Sequence, residues 1–278
     1  MRASTPPRRD HGMSDEAIAR WRKKWGAGPH VAADLVVFTL RPPREGQPEA
    51  EGPRLSVLLI ERGIPPFEGQ LALPGGFVKS DEGLELAARR ELAEETGIAD
   101  LGGTIVEQLA TFGEPSRDPR GRIVSAVYLA LVPWHLLAHA KGSDDARAAE
   151  FCTIVDGAPT RDDGRRARLA FDHDEVMHVA IERLRGRITY TTAPFALMPE
   201  TFTLAELQAA YEAILGTTLH RRAFRERVER EGWVVETGET RGGAHRPARL
   251  FRAATRELLW MRPWPEAAKV PGGLKERD

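Results

Sequence analysis

The chain has 278 residues, 41% of them hydrophobic and 29% charged, which suits a soluble globular protein long enough for two folded units. Its formal net charge of −1 combines 26 Lys+Arg against 30 Asp+Glu in residues 1–200 (−4) with 14 against 11 in residues 201–278 (+3), a mildly basic C-terminal part that permits nucleic-acid binding. The single cysteine, Cys152, excludes an internal disulfide framework and suits a reducing cytosol; with no apolar run near 18 residues and no signal-peptide core, a cytoplasmic protein without a membrane partner is expected.

Residues 1–29 are rich in Arg, Pro and charge and lack apolar periodicity, so they read as a flexible tail with a short helix around Asp15–Trp25 and no expected function. Val31–Leu40 and Leu55–Glu61 are aliphatic, β-branched runs that predict strands, joined by a polar Pro/Gly hairpin loop. Arg62 and the run to Leu73-Pro74-Gly75-Gly76 follow, and the paired glycines allow a sharp turn and a close backbone approach to a phosphate. A helix is then predicted, with Ser80, Asp81 and Glu82 as its acidic entry, Leu84, Ala88 and Leu92 as its inward stripe and Gly97 as its stop.

On that helix Glu91, Glu94 and Glu95 stand at i, i+3 and i+4 and share one face. Carboxylates so grouped suit a hard divalent cation such as Mg²⁺, and Arg90, one turn before Glu94, can hold part of the cluster. A solvated acidic face is the plainer alternative. The stretch from Gly76 to Ile98 decides between them, because Gly76, Glu82, Arg90, Glu91, Leu92, Glu94, Glu95, Gly97 and Ile98 fill all nine defined positions of the Nudix box, G-x5-E-x7-R-E-U-x-E-E-x-G-U. The chain is thereby identified as a member of the Nudix superfamily over this region.

The resemblance implies an α/β/α sandwich that hydrolyses nucleoside diphosphates linked to another moiety, with Mg²⁺ or Mn²⁺. By that resemblance Glu91, Glu94 and Glu95 hold the metal with the Gly76 backbone, Glu82 and Arg90 orient the cluster, and these five side chains form the catalytic set. The general base stays open among Glu91, Glu114 and Glu150. LPGGFV before the box, GEPSRDPRG after it and LAFDH at 169–173 resemble the ADP-ribose pyrophosphatase-like members. In such a site Arg62, Gly75, Gly76, Arg117 and Arg120 would grip the diphosphate or ribose and Phe112 would stack on adenine.

Gly103–Phe112, Arg122–Val132 and Ala149–Val155 predict further strands, 134–147 a surface insertion, and Asp172–Leu184 a helix with Val176, Val179, Ile181 and Leu184 as its apolar positions. After a connection over 187–200, Thr203-Leu204-Ala205-Glu206 forms a capping box that opens a helix ending at Gly216, with Leu204, Leu207, Tyr211 and Leu215 inward. A basic helix over Leu219–Glu231 and two short strands, Trp233–Glu236 and Arg249–Arg252, complete the outline of a winged helix-turn-helix. FTLAELQAAYEAILG, the basic helix and HRPARLFR resemble the C-terminal domain of NrtR, the Nudix-related transcriptional regulators of NAD metabolism. That likeness implies a homodimer that senses ADP-ribose or a relative and binds double-stranded DNA through Arg221, Arg222, Arg225, Arg241, His245 and Arg246. Two departures stand out. The Nudix box is complete here where many NrtR members have a degenerate one, and the recognition helix reads LHRRAFRER, with His220 and Ala223 where the family commonly has Asp and Asn. Alanine cannot hydrogen-bond a base edge, whereas the arginines can still contact phosphates.

The fold class expected is α+β: a tail over 1–29, a Nudix domain over 30–190, a winged helix over 191–262 and a tail over 263–278. Three functions are consistent with it: a hydrolase of an ADP-ribose-like diphosphate with a DNA-binding module, a regulator whose Nudix domain mainly senses, and an enzyme whose winged helix serves only dimerisation or protein contacts.

Overall fold

The computed structural model describes residues 12–25, 28–43, 52–101, 104, 106–140, 146–188, 191–242 and 247–255. Strand β1 (His30–Arg41) is its axis. Leu35, Val36, Val37 and Phe38 are all fully buried, because β1 lies inside a sheet covered on both faces, where a strand reads as one apolar run. It pairs in parallel with β6 (Ile123–Leu131) and antiparallel with β2 (Arg54–Arg62). Strand β5 (Val106–Phe112) lies beyond β6, and β7 (Ala146–Val155) and β8 (Ala158–Thr160) lie beyond β2. Two short strands are added at one end of the sheet, β3 (Leu71–Ala72) on β2 and β4 (Gly75–Phe77) on β1.

Side chains alternate across β1. Leu35 and Val37 join Leu58 on one face and meet Ala87, Ala88 and Leu92 of helix α2 (Leu84–Thr96). Leu84 itself is 38% exposed, so the buried stripe runs through Ala87 rather than through the helix's first residue. The helix also starts later than its acidic entry suggests, at Leu84 after Gly83, and ends where Gly97 adopts a left-handed φ of 73° and donates to Ala93 O. On the other face Val36 and Phe38 meet Val176, Met177, Ala180 and Ile181 of helix α4 (His173–Ile188), which makes the α/β/α sandwich. Between β6 and β7 the chain forms a single helical turn, α3 (Trp134–Leu137). Ahead of the sheet, helix α1 (Asp15–Trp25) is folded against it through Trp21 instead of trailing as a loose tail.

The α4-side core does not stop at the sandwich. It continues through Phe195 and Leu197 of a 3₁₀ turn (Ala193–Leu197) into Phe202, Leu207 and Tyr211 of the segment that opens helix α5 (Leu204–Leu215), then Phe224 of helix α6 (Arg221–Arg230) and Phe251 of the hairpin β9 (Val234–Arg241) and β10 (Ala248–Ala253). Thr203 and Glu206 cap α5 reciprocally, with Thr203 Oγ1 accepting from Glu206 N–H at 3.1 Å and Glu206 accepting from Thr203 N–H at 2.7 Å. Helix, helix and hairpin follow the winged-helix outline, with both strands longer than their sequence signals. Among the described residues no helix is long and apolar enough to cross a membrane.

Candidate active site and nucleic-acid interface

At the end of the sheet where β4 joins β1, a cleft of about 620 Å³ opens between α2 and the loops after β2 and β5. The double glycine makes this geometry possible. Gly75 lies opposite Asp34 in the β1–β4 register, and a Cβ there would collide with the Asp34 carboxylate; one on Gly76 would collide with the carboxylate of Glu91. Close approach of backbone to carboxylate, rather than a positive φ, is what requires glycine at both positions.

The acidic wall comes from α2. Glu91, Glu94 and Glu95 all line the cleft, as does Arg90, whose guanidinium is threaded among them. Arg90 Nη1 donates to Glu91 at 2.7 Å and to Glu94 at 2.8 Å, while Nε and Nη2 take both oxygens of Glu82. Glu82, held by Arg90 and by the Lys79 N–H, has its pKa lowered to about 2. Glu95 accepts from Gly75 N–H at 2.9 Å, yet burial, aided by the charges of Glu91 and Asp34, pushes its carboxyl up to about 8. Burial raises Glu91 as well. Among the described residues no group of three or more His, Cys, Asp or Glu side chains is gathered closely enough to hold a metal ion, because Arg90 occupies the middle of this one. The donor chemistry nevertheless suits a hard cation: these are oxygen ligands on one wall, two of which resist carrying negative charge until something positive joins them.

The facing wall is basic and aromatic. Arg62 donates to Pro66 O at 2.7 Å and lies over the Phe171 ring at 4.9 Å. Arg120 is clamped by Asp118, which accepts from its Nε and from its Nη2 at 2.7 Å. Arg117 is buried and forked onto Asp172 at 2.8 and 2.7 Å, with Asp34 at 3.7 Å; Asp34 in turn accepts from Ser125 Oγ. The floor of this network is His173, whose Nδ1 accepts from Leu73 N–H at 3.0 Å and whose pKa burial lowers, leaving a neutral ring with its proton on Nε2.

The structure thus brings Arg62, Gly75, Gly76, Arg90, Glu91, Glu94, Glu95, Arg117 and Arg120 to one cleft. Phe112 is a correction. It does not line the cleft but packs in the core with Leu109, because a bulge between Gln108 and Ala110 breaks the two-residue alternation of β5 and turns both side chains inward. Of the three candidate bases, Glu91 lines the cleft, Glu114 is exposed on its loop, and Glu150 sits on β7 paired with Arg161 at 3.3 Å. Asp34, Phe77, Asp118, Phe171 and His173 line it too. LPGGFV contains Phe77, GEPSRDPRG contains Asp118 and LAFDH contains Phe171 and His173, although the resemblance assigns none of these a role, and nothing local in the sequence marks Asp34.

In the C-terminal module Arg221 and Arg222 are exposed at the start of α6, and Arg222 pairs along the helix with Glu226 at 2.7 Å. Arg225 is half-buried, and Arg241 on β9 is tied to Glu206 of α5. His245 and Arg246 lie outside the described residues. His220 caps α6, its Nδ1 accepting from Ala223 N–H at 3.4 Å, which accounts for a capping role at that position without an aspartate.

A profile of the NUDIX domain matches residues 47–178, and one of the NrtR DNA-binding winged helix domain matches residues 194–253. The ADPR responsive transcriptional repressor NtrR of Acinetobacter baylyi is 35% identical over 242 residues, which span 86% of this chain and 88% of that one. The chain belongs to the NrtR family. Shewanella oneidensis NrtR, solved in complex with a 27mer DNA, superposes with a TM-score of 0.63 at 32% identity over 86% of this chain and 96% of that one. Methanocaldococcus jannaschii ADP-ribose pyrophosphatase is 38% identical over 121 residues, 44% of this chain and 63% of that one. This NrtR-family chain is therefore similar over most of its length to a repressor and over a shorter stretch to a hydrolase.

Proposed function

We propose that this protein is a DNA-binding transcriptional regulator that responds to ADP-ribose or a close relative bound in the cleft. One observation carries the reading. Helix α4 begins at His173 on the cleft floor and runs 16 residues, about 24 Å, to the winged helix, where Arg185 Nε donates to Ile214 O of α5 at 3.2 Å. A single rigid element thus touches both the ligand cleft and the DNA-binding module, the arrangement that coupling between two sites needs. In this reading Arg62 and Arg120 take the diphosphate and the glycine turn admits it closely. Arg221 and Arg222 contact DNA phosphates, with Arg225 and Arg241 as further candidates; His245 and Arg246, outside the described residues, stay candidates on sequence alone. A homodimer would present two such modules to paired half-sites.

The complete set of carboxylates on the cleft wall favours a second activity at the same site, hydrolysis of the bound diphosphate. Glu91, Glu94 and Glu95 would hold Mg²⁺ or Mn²⁺, which when bound neutralises diphosphate charge and makes a water a better nucleophile. The chain's own part is to release Glu91 and Glu94 from Arg90, to keep Glu82 and Arg90 as the brace, and to offer Glu91 as the one of the three base candidates that lines the cleft.

Calorimetry of the full chain with ADP-ribose, with and without Mg²⁺, followed by chromatography for AMP, tests both. Binding with chelator-sensitive AMP supports sensing with turnover, and binding without AMP supports sensing alone. An absence of binding overturns the ligand assignment.

A further inference from the structure

Helix α1 lies outside both matched stretches, 47–178 and 194–253, yet Trp21, one of its two tryptophans, packs against Phe77 and Arg120, which line the cleft. The Trp21 ring lies 5.6 Å from the Arg120 guanidinium, edge-on to His30 at 5.3 Å and tilted against Phe77 at 5.9 Å. Residue 121 is glycine, and a Cβ there would come within 3.1 Å of the Trp21 ring, so the loop carrying Arg120 passes directly under the indole. Arg22, the next residue on the helix, reaches the Arg120 carbonyl at 3.4 Å. Arg120 is consequently caged by three rings, Trp21, Phe77 at 5.2 Å and Phe171 at 5.7 Å, with Asp118 holding its Nε and Nη2. Its Nη1 makes no hydrogen bond within the described residues and belongs to a side chain that lines the cleft.

We infer that Trp21 is a positioning residue for ligand binding: the N-terminal helix lays its indole over Arg120 and so aims Nη1 at an anionic group of the ligand. The inference rests on the diphosphate class of ligand proposed above and adds a part of the site that neither domain supplies. A guanidinium held by stacked rings and one carboxylate loses little freedom on meeting an anion, which is where such a cage gains affinity.

The test measures the affinity of the full chain for ADP-ribose and, separately, for inorganic pyrophosphate by calorimetry, well below the melting temperature of every variant. Trp21→Ala should weaken binding about tenfold and Trp21→Phe should stay within about threefold of the wild type. Gly121→Ala, whose Cβ would crowd the indole at 3.1 Å, should weaken binding in the same direction by a smaller factor. The double variant Trp21→Ala/Arg120→Ala should bind no more weakly than Arg120→Ala alone, a non-additivity that a merely structural tryptophan would not give. Additive losses, or unchanged affinity in Trp21→Ala, would overturn the inference while leaving the ADP-ribose reading intact. Pyrophosphate binding that depends on Trp21, without ADP-ribose binding, would support it and overturn the ligand identity instead. Wild-type protein that binds neither probe would overturn both.

Discussion

Arg90 meets Glu82 through two parallel hydrogen bonds, Nε to Oε2 at 2.9 Å and Nη2 to Oε1 at 2.6 Å, and turns its remaining nitrogen to Glu91 and Glu94. The fork matters more than the charge, because a lysine cannot reach both oxygens of one carboxylate while holding two others. Arg90→Lys should therefore weaken Mn²⁺ binding by about tenfold and lower stability by about 1–3 kcal/mol. Water-proton relaxation and chemical denaturation read the two effects. A lysine variant with wild-type Mn²⁺ affinity would show that the brace is dispensable.

Glu95 gives a pH signature. Its carboxyl titrates at about 8 in the folded protein against an ordinary value of 4.5, so the folded state keeps a proton that the unfolded chain releases between those values. Its contribution is fully present below pH about 4.5 and is lost as pH rises through about 8. In chelator, the melting temperature of Glu95→Gln should fall less across that window than the wild type's, and Mg²⁺ should flatten the wild-type slope by stabilising the carboxylate. Parallel slopes for the two proteins would contradict this.

Arg117 is buried and forked onto the half-buried Asp172, which sits one residue before the helix that leads to the winged module. Asp172→Ala leaves the buried Arg117 guanidinium without its forked partner, with only Asp34 and Asp118 nearby, at an expected cost of about 3–5 kcal/mol. The same variant, studied at a temperature where it is folded, should also show a smaller ADP-ribose effect on DNA affinity. Urea denaturation and fluorescence anisotropy measure these quantities, and a loss of under 1 kcal/mol would mean the network relaxes around the gap.

What the sequence made legible follows from the range of the interactions. Strict apolar–polar alternation is absent from β1, yet its run of Leu35 to Phe38 marks a strand buried on both faces, and Gly97, Gly216 and the Thr203–Glu206 box mark helix ends through contacts within four residues. The carboxylates of α2 share a wall because helical spacing alone puts them there. Phe112 could not be placed from its strand, since a one-residue bulge after Gln108 reverses the faces downstream of it. Trp21 and Arg120 meet across about a hundred positions, as do Asp34 and Ser125 across 91, and no local pattern carries such contacts.

On the DNA side, Arg222 is exposed and held by a surface ion pair with Glu226 that contributes little stability. Its exchange of that partner for a phosphate is nearly free. Arg222→Ala should weaken duplex binding at low salt and reduce the slope of log affinity against log salt by about 1, with little change in melting temperature. An unchanged slope would remove α6's first turn from the interface.

The central claim is that cleft and winged helix are coupled. A fluorescently labelled duplex, selected by the protein from a random library, would be titrated with the full chain by anisotropy, with and without saturating ADP-ribose. The account predicts a shift in DNA affinity of about 5- to 150-fold, matched by an equal shift in ADP-ribose affinity when DNA is present. Identical DNA-binding curves, under conditions where calorimetry shows the cleft to be filled, would contradict it.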